Sequence, residues 1–222
     1  MLDSGSGRAP DSAPQGYVRG LFDDYAAGVE KNLIQDLDYR VPSFFRTRLQ
    51  AVLPTGTRFA NAVDLGCGTG LVGVDLRSLA EGLTGVDLSP GMLEKAKEKR
   101  IYDELVQGDI TEFLAATGKR CDLFTAADLL VYVGNLEALF SAVRHAATAK
   151  AWFAFSTEST QGADFRLNET GRYTHSRGYI ELLARQFGFA IRSCQAETIR
   201  GQSSRPVAGD LFVLQHEAGA EV

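Results

Sequence analysis

Clustered positive charge is missing from this chain. It has no run of lysine or arginine, and 23 basic side chains are outnumbered by 28 acidic ones, for a formal net charge of -5 and a pI near 5.3. Phosphate backbones and anionic lipid surfaces are bound by clustered cations, so neither nucleic acid nor membrane is expected as a partner. Cysteine is equally scarce. Cys67, Cys121 and Cys194 are odd in number, far apart and without a CxxC or CxxH pattern, which signals neither a disulfide framework nor a metal site. Long apolar runs are absent too: none approaches the ~20 residues of a membrane span, and the opening "MLDSGSGRAP" has no apolar core of signal-peptide type. A cytoplasmic location is expected. There is no internal repeat.

What is present is enough apolar content, 45% of 222 residues, for one sizeable core. Residues 1–16 are rich in Ser, Gly, Pro and Asp and are expected to form a disordered tail, because they bury too little to repay ordering. The remainder, 17–222, reads as a single domain: a helical cap over 17–55 and an α/β core over 56–222. In the cap, Val18, Leu21, Phe22 and Tyr25 share a helical face, and Pro42 sits where "VPSFFRTRLQAVL" can begin a helix. Beyond it, strand-length apolar runs ("FANAVDLG", "GLTGVDLS", "DELVQGD", "CDLFTAAD", "KAWFAFST") alternate with helix-length segments. Such alternation predicts right-handed crossovers and a mostly parallel sheet with helices on both faces. "FAIRSCQAETIR" and "GDLFVLQH", joined by a short polar loop containing Pro206, predict a closing hairpin and therefore an antiparallel last strand.

The segment "VDLGCGTG", residues 63–70, runs from a buried-strand pattern straight into a helical one. A glycine-rich turn there lies at the carboxyl end of the first strand, where open α/β sheets bind ligands. The second strand ends in Asp87, whose carboxylate can accept both hydroxyls of a ribose. The dinucleotide fingerprint would need Gly or Ala at position 71, where this chain has Leu71, and no Gly-Lys-Ser/Thr follows to make a P-loop. Asp64, two positions before the first glycine, would repel a pyrophosphate but suits the ammonium group of S-adenosylmethionine. Glycine loop and Asp87 together point to an adenosine-containing ligand; Asp64 favours S-adenosylmethionine, while a dehydrogenase is the reading that Leu71 and Asp64 count against.

At these residues the chain resembles the class I S-adenosylmethionine-dependent methyltransferases. "VDLGCGTG" looks like their first motif, "GVDLSPGMLEKAKEK" like the ribose-binding strand and its helix, and "LVQGDI" like the third-strand turn. The resemblance implies a Rossmann-like seven-stranded sheet with the last strand antiparallel. It further implies that Gly66, Gly68 and Gly70 line the methionine moiety, with Cys67 as a small residue inside the loop. Asp87, with Leu88 beside it, would hold the ribose, and Met92 would cover one face of the adenine. Asp109, flanked by Gly108 and Ile110, would meet the adenine amino group, and Ala127 and Asp128 would lie where sulfonium and substrate meet. "LFDDYAAGVEKNLIQDLDYRVP" and "GRYTHSRGYIELLARQFGF" resemble a bacterial subgroup of methyltransferases, some fused to tetratricopeptide repeats, which are absent here.

Methyl transfer from a sulfonium is an in-line displacement in which alignment is the main task of the protein. The catalytic candidates are His175, expected in a loop overlying the cofactor, and Asp128 and Tyr132 after the fourth strand. Tyr25 is expected to close over the cofactor as a lid residue. Arg172 and Arg166 are candidates for clamping an anionic substrate. The expected activity is methylation of an oxygen or nitrogen of a small molecule by a monomer or homodimer. The alternative is a non-catalytic sensor of S-adenosylmethionine on the same fold.

Overall fold

A computed structural model describes residues 10–25, 41–162, 164–202 and 205–217, without the side chains of residues 24–25 and 200–206. Two helices, α1 (Gln15–Tyr25) and α2 (Val41–Val52), precede the sheet. Then β1 (Phe59–Leu65), α3 (Leu71–Leu76), β2 (Ala80–Asp87), α4 (Pro90–Glu98), β3 (Glu104–Gln107), α5 (Ile110–Ala116) and β4 (Cys121–Ala126) alternate. A 3-10 turn (Leu130–Tyr132), α6 (Glu137–Ala146) and β5 (Ala147–Ser159) follow. The chain closes with β6 (Phe165–Leu167), β7 (Tyr173–His175), α7 (Arg177–Gln186), β8 (Phe189–Gln202) and β9 (Arg205–His216).

The described strands form a 9-stranded sheet. Its body runs β3-β2-β1-β4-β5 in parallel register and continues through β9 to β8, with β9 antiparallel to both neighbours. The two strands beyond the expected set are the short hairpin β6-β7, which pairs with the end of β5 at Glu158 and Ser159. Sequence periodicity shows neither, because three residues are too few to establish an alternation. The polar loop expected around Pro206 is instead strand: Pro206 pairs with Gly201 near the hairpin end, where a missing N–H costs little.

Alternation along the strands sorts the core onto two faces. Ala62, Leu123, Ala154, Leu211 and Val213 pack with Val41, Phe45 and Leu49 of α2 and with Val72 and Leu76 of α3. Their neighbours Val63, Phe124, Phe153, Phe155, Phe212 and Leu214 point the other way, against α5, α6 and α7. Both faces of the central strands are therefore covered, which explains why they read as nearly continuous apolar runs. Helix starts are set locally. Ser89 accepts the Met92 N–H at 3.1 Å with Pro90 following, Asp109 caps α5 through the Thr111 and Glu112 N–H groups, and Ser176 caps α7.

The expectation of a disordered tail does not hold for residues 10–16. Ser12 bridges Val133, Asp11 O accepts the N–H groups of Gly134 and Asn135 at 2.9 Å each, and the Tyr173 hydroxyl donates to Pro10 O. Backbone groups satisfied by the 132–135 turn, with Ala13 buried, supply the ordering energy that this segment's composition lacks. Residues 1–9 lie outside the described residues, as do residues 26–40 of the expected helical cap.

Candidate active site

The carboxyl ends of β1 to β4 converge on a cavity of about 570 Å³. Its floor is the turn after β1. Gly66, Gly68 and Gly70 have φ of 66°, 53° and 88°, the left-handed region in which glycine carries no steric penalty. A Cβ on Gly66 would meet the Leu129 side chain at 2.8 Å, whereas one on Gly68 would meet nothing within 4 Å. Gly68 is therefore required by its backbone angle, and Gly66 by both angle and space. Gly70 ends the loop as the left-handed cap of α3 and does not itself line the cavity.

Three carboxylates stand around this floor. Asp64 is 1% exposed; its Oδ1 accepts from the Thr125 hydroxyl at 2.8 Å and its Oδ2 from the Tyr102 hydroxyl at 2.7 Å. Burial pushes its pKa up to about 6 in spite of both hydrogen bonds. Asp87 Oδ2 accepts the Gly68 N–H and its Oδ1 the Ser89 N–H, both at 2.9 Å, so the carboxylate at the tip of β2 ties the glycine loop to α4. Burial raises its pKa as well. Asp109 Oδ2 accepts from the Gln15 amide at 2.9 Å. Between these acids lie the apolar side chains of Leu88, Met92 and Ile110. Burial, with Asp64 and Asp87 nearby, holds the Cys67 thiol well above its ordinary pKa, which leaves it unreactive packing inside the loop.

The cavity thus brings together Asp64, Gly66, Cys67, Gly68, Asp87, Leu88, Met92, Asp109, Ile110, Ala127, Asp128 and Tyr132 of the residues singled out from sequence. Gly108 lies just outside it, between Gln107 and Asp109, its N–H donated to Asp87 O at 3.0 Å. The Tyr25 side chain lies outside the described residues.

Asp128 sits directly after β4 and its successor Ala127 with φ 53°, a left-handed conformation tolerated by Asp. It is fixed there from two sides: its N–H donates to the Ser156 hydroxyl at 2.9 Å, and its carboxylate accepts Arg172 Nη2 at 2.5 Å. Arg172 also donates through Nε to buried Glu158 at 2.7 Å and through Nη1 to the Tyr132 hydroxyl at 2.9 Å. The guanidinium expected to clamp a substrate is therefore engaged within the protein, beneath the cavity wall, where it orients Asp128 and Tyr132. Arg166 is exposed on β6, with no place in the cavity.

His175 does not take the place expected of it. It lies on β7 rather than in a loop, is 1% exposed, and does not line the cavity. Its Nε2–H faces Val133 O at 2.9 Å and Gly134 O at 3.1 Å, Nδ1 is buried with no partner, and the ring stacks on Tyr179. Burial pushes its pKa down to about 4, so the imidazole is neutral near pH 7 and pins the 133–134 turn. As a proton acceptor for substrate it is out of reach.

The sequence missed several participants. Tyr102, which holds Asp64, has no motif of its own; its ring packs where a Cβ on Gly70, Gly73 or Gly85 would stand, at 3.0, 2.5 and 3.0 Å. Asp11, Gln15 and Val18 wall the cavity from the docked N-terminal segment, and Phe22 packs edge-on against Tyr132 with ring centroids 5.4 Å apart.

Strand order, glycine loop and the acid at each strand tip define the fold of the class I S-adenosylmethionine-dependent methyltransferases. Residues 62–149 match the family described as a methyltransferase domain. Over 88 residues, 38% of this chain and 35% of the other, the sequence is 39% identical to human methyltransferase-like protein 27. Over 84 residues, 36% and 32% of the two chains, it is 38% identical to trans-aconitate 2-methyltransferase of Paracidovorax citrulli. The matches thus span about a third of the length of these relatives. Among solved structures, N-methyltransferase NodS of Bradyrhizobium japonicum with S-adenosyl-L-homocysteine superposes with a TM-score of 0.68 at 17% identity, covering 89% of this chain and 97% of that one. Magnesium protoporphyrin IX methyltransferase of Synechocystis gives a TM-score of 0.69 at 16% identity, over 92% and 100%. At these identities the likeness is one of fold.

Proposed function

We propose that this protein is an S-adenosylmethionine-dependent methyltransferase acting on an oxygen or nitrogen of a small molecule. The observation that carries the reading is the convergence on one cavity of a positive-φ glycine floor with Asp64, Asp87 and Asp109, separated by Leu88, Met92 and Ile110. The donor set fits the cofactor. Gly66 and Gly68 leave room for a methionine tail beside Asp64, the acid for its ammonium group; Asp87 suits a ribose diol, and the apolar side chains with Asp109 suit an adenine. When bound, the cofactor supplies an electrophilic methyl group on a sulfonium.

The protein's own contribution is alignment and exclusion of water, worth up to ~7 to 11 kcal/mol of a barrier when the reacting atoms are held at ~3 to 3.5 Å. Asp128 and Tyr132, held by Arg172, face the cavity next to Ala127 and are the groups placed to orient an acceptor and take up its proton. The N-terminal segment and Phe22 cover the cavity from above. Trans-aconitate 2-methyltransferase and magnesium protoporphyrin IX methyltransferase are named for small-molecule acceptors, which supports the same class here.

The test is calorimetric titration with S-adenosylmethionine, S-adenosylhomocysteine and NAD(H) in parallel, followed by an acceptor screen for released S-adenosylhomocysteine. Micromolar binding of the first two, about -8 kcal/mol, with none of the third is the expected result. Binding of NAD(H) alone would overturn the reading.

A further inference from the structure

We propose that the acceptor is a small molecule recognised as a cation, an amine, at the end of the cavity formed by Asp128, Tyr132, Phe22 and the N-terminal segment. The inference rests on the methyltransferase reading and narrows it from oxygen or nitrogen to nitrogen.

The charged residues that line the cavity all have one sign. Beyond Asp64, Asp87 and Asp109, which face the cofactor region, the cavity is lined by Asp11, Glu112, Asp128 and Glu137, and by no lysine, arginine or histidine among the described residues. A carboxylate or phosphate acceptor would find no counter-charge on the lining residues. An amine is drawn in as its ammonium form, and a low-dielectric cavity wall strengthens that attraction. With the cofactor bound, the ammonium would pass one proton to the Asp128 carboxylate, and the freed nitrogen lone pair would take the methyl group as the sulfonium sulfur leaves as a neutral thioether.

The one cation beneath the wall does not alter this balance. The Arg172 side chain is 12% exposed, and its donors are directed at Glu158, Tyr132 and Asp128. One guanidinium set against two carboxylates leaves this cluster with one net negative charge. To bind an anion, Arg172 would have to break contacts of 2.5 to 2.9 Å and leave Glu158 buried without its partner. Residues 26–40, outside the described residues, contain Lys31 and Arg40 against Glu30, Asp36 and Asp38, and so add no excess of positive charge by sequence.

Aromatic chemistry points the same way. The edge-on pair of Phe22 and Tyr132 stands on this wall; the Arg172 guanidinium already lies over the Tyr132 ring, 5.2 Å from its centroid, so Phe22 is the ring of the pair offered to a second cation. Ring faces carry negative electrostatic potential and attract ammonium groups, most strongly where water is excluded. Acid and ring together make a receptor for an amine with an apolar body.

The experiment uses the full chain saturated with S-adenosylhomocysteine and a size-matched panel of aryl amines, alcohols and carboxylates, with phenethylamine, 2-phenylethanol and phenylacetate as its core. Binding is followed by ligand-observed NMR titration at low and at 0.3 M salt. Amines are expected to bind at least tenfold more tightly than the matching carboxylates. Added salt, Asp128→Asn and Glu137→Gln are each expected to shrink that margin. Glu137→Gln is the variant that guards against misfolding, because Glu137 is exposed on the first turn of α6. Carboxylates binding as well as amines, an amine margin insensitive to both substitutions, or no binding by any member of the panel would overturn the inference. If S-adenosylhomocysteine itself failed to bind, the methyltransferase reading would fall first; saturation with it and no preference for amines would remove this inference alone.

Discussion

Asp64 shows most plainly what the site costs the fold. An acid whose folded pKa is about 6, above its ordinary 3.8, holds its proton more tightly in the native state. The native state is then progressively disfavoured as pH rises from about 4 to about 6, by a sum on the order of 3 kcal/mol that persists above that range. Asp64→Asn, which imitates the protonated acid, is expected to stabilise the apo protein above pH 6. The gain should vanish near pH 4, as urea denaturation at pH 4 and pH 7.5 would show. The same variant should bind S-adenosylhomocysteine more weakly, since the ammonium loses its partner. For the intact protein that affinity is expected to fall as pH drops below about 6, where Asp64 keeps its proton. Asp87→Ala removes an acceptor of different purpose, and a loss of ~1.5 to 3 kcal/mol in cofactor binding is expected from the missing charge-assisted hydrogen bonds. Unchanged affinity in calorimetry would contradict the role given to Asp87.

Among the elements, the β6-β7 hairpin is the one whose importance exceeds its size. Through Arg172 it reaches Asp128 and Tyr132, and through His175 it fixes the turn on which the N-terminal segment docks. That turn leaves no room for growth: a Cβ on Gly134 would stand 2.5 Å from the Tyr173 ring and 2.9 Å from Phe165. Gly134→Ala is therefore expected to push the hairpin away at a cost of ~1 to 3 kcal/mol in denaturation midpoint experiments. Faster amide exchange should follow in residues 11–13, which hang on the same turn. Neither effect belongs to a hairpin that is only a surface excursion. The helix α1 is tied down separately: Asp23 accepts from the Ser89 hydroxyl at 2.5 Å, which links it to the start of α4.

For the molecule as a whole, a ligand that binds only the native state stabilises it by mass action. S-adenosylhomocysteine at a hundred times its dissociation constant should add ~2.7 kcal/mol, with a matching rise in Tm, whereas NAD(H) should add nothing. His175 gives the native state an acid lability that Asp64 opposes. The His175 pKa is lowered to about 4, so the native state binds fewer protons there than the unfolded chain, and its stability falls as pH drops from about 6.5 to about 4. In wild type the two groups work against each other across much of that range. Asp64→Asn should consequently expose a steeper acid-induced loss of stability, measurable between pH 6.5 and 4.5.

Local pattern sufficed for the parts of this protein that obey a local rule. Alternating apolar runs gave the parallel strands β1 to β5, and "VDLGCGTG" with Asp87 pointed to the glycine turn and acid at the cavity, since backbone angle and strand-end position are properties of neighbouring residues. What depended on approach in space was hidden. Tyr102 reaches Asp64 across 38 positions and Arg172 reaches Asp128 across 44, and no periodicity encodes such pairs. The composition of residues 10–16 predicts disorder, yet they dock because another turn satisfies their backbone. His175 has the composition of a loop base, and only the register Phe165↔His175 turns it inward, away from solvent and substrate. The amino-acid sequence determined the main strands of the sheet and the acids and glycines at their carboxyl ends; the tertiary structure decided the β6-β7 hairpin and which of those charges are answered, because both depend on residues brought together across the chain.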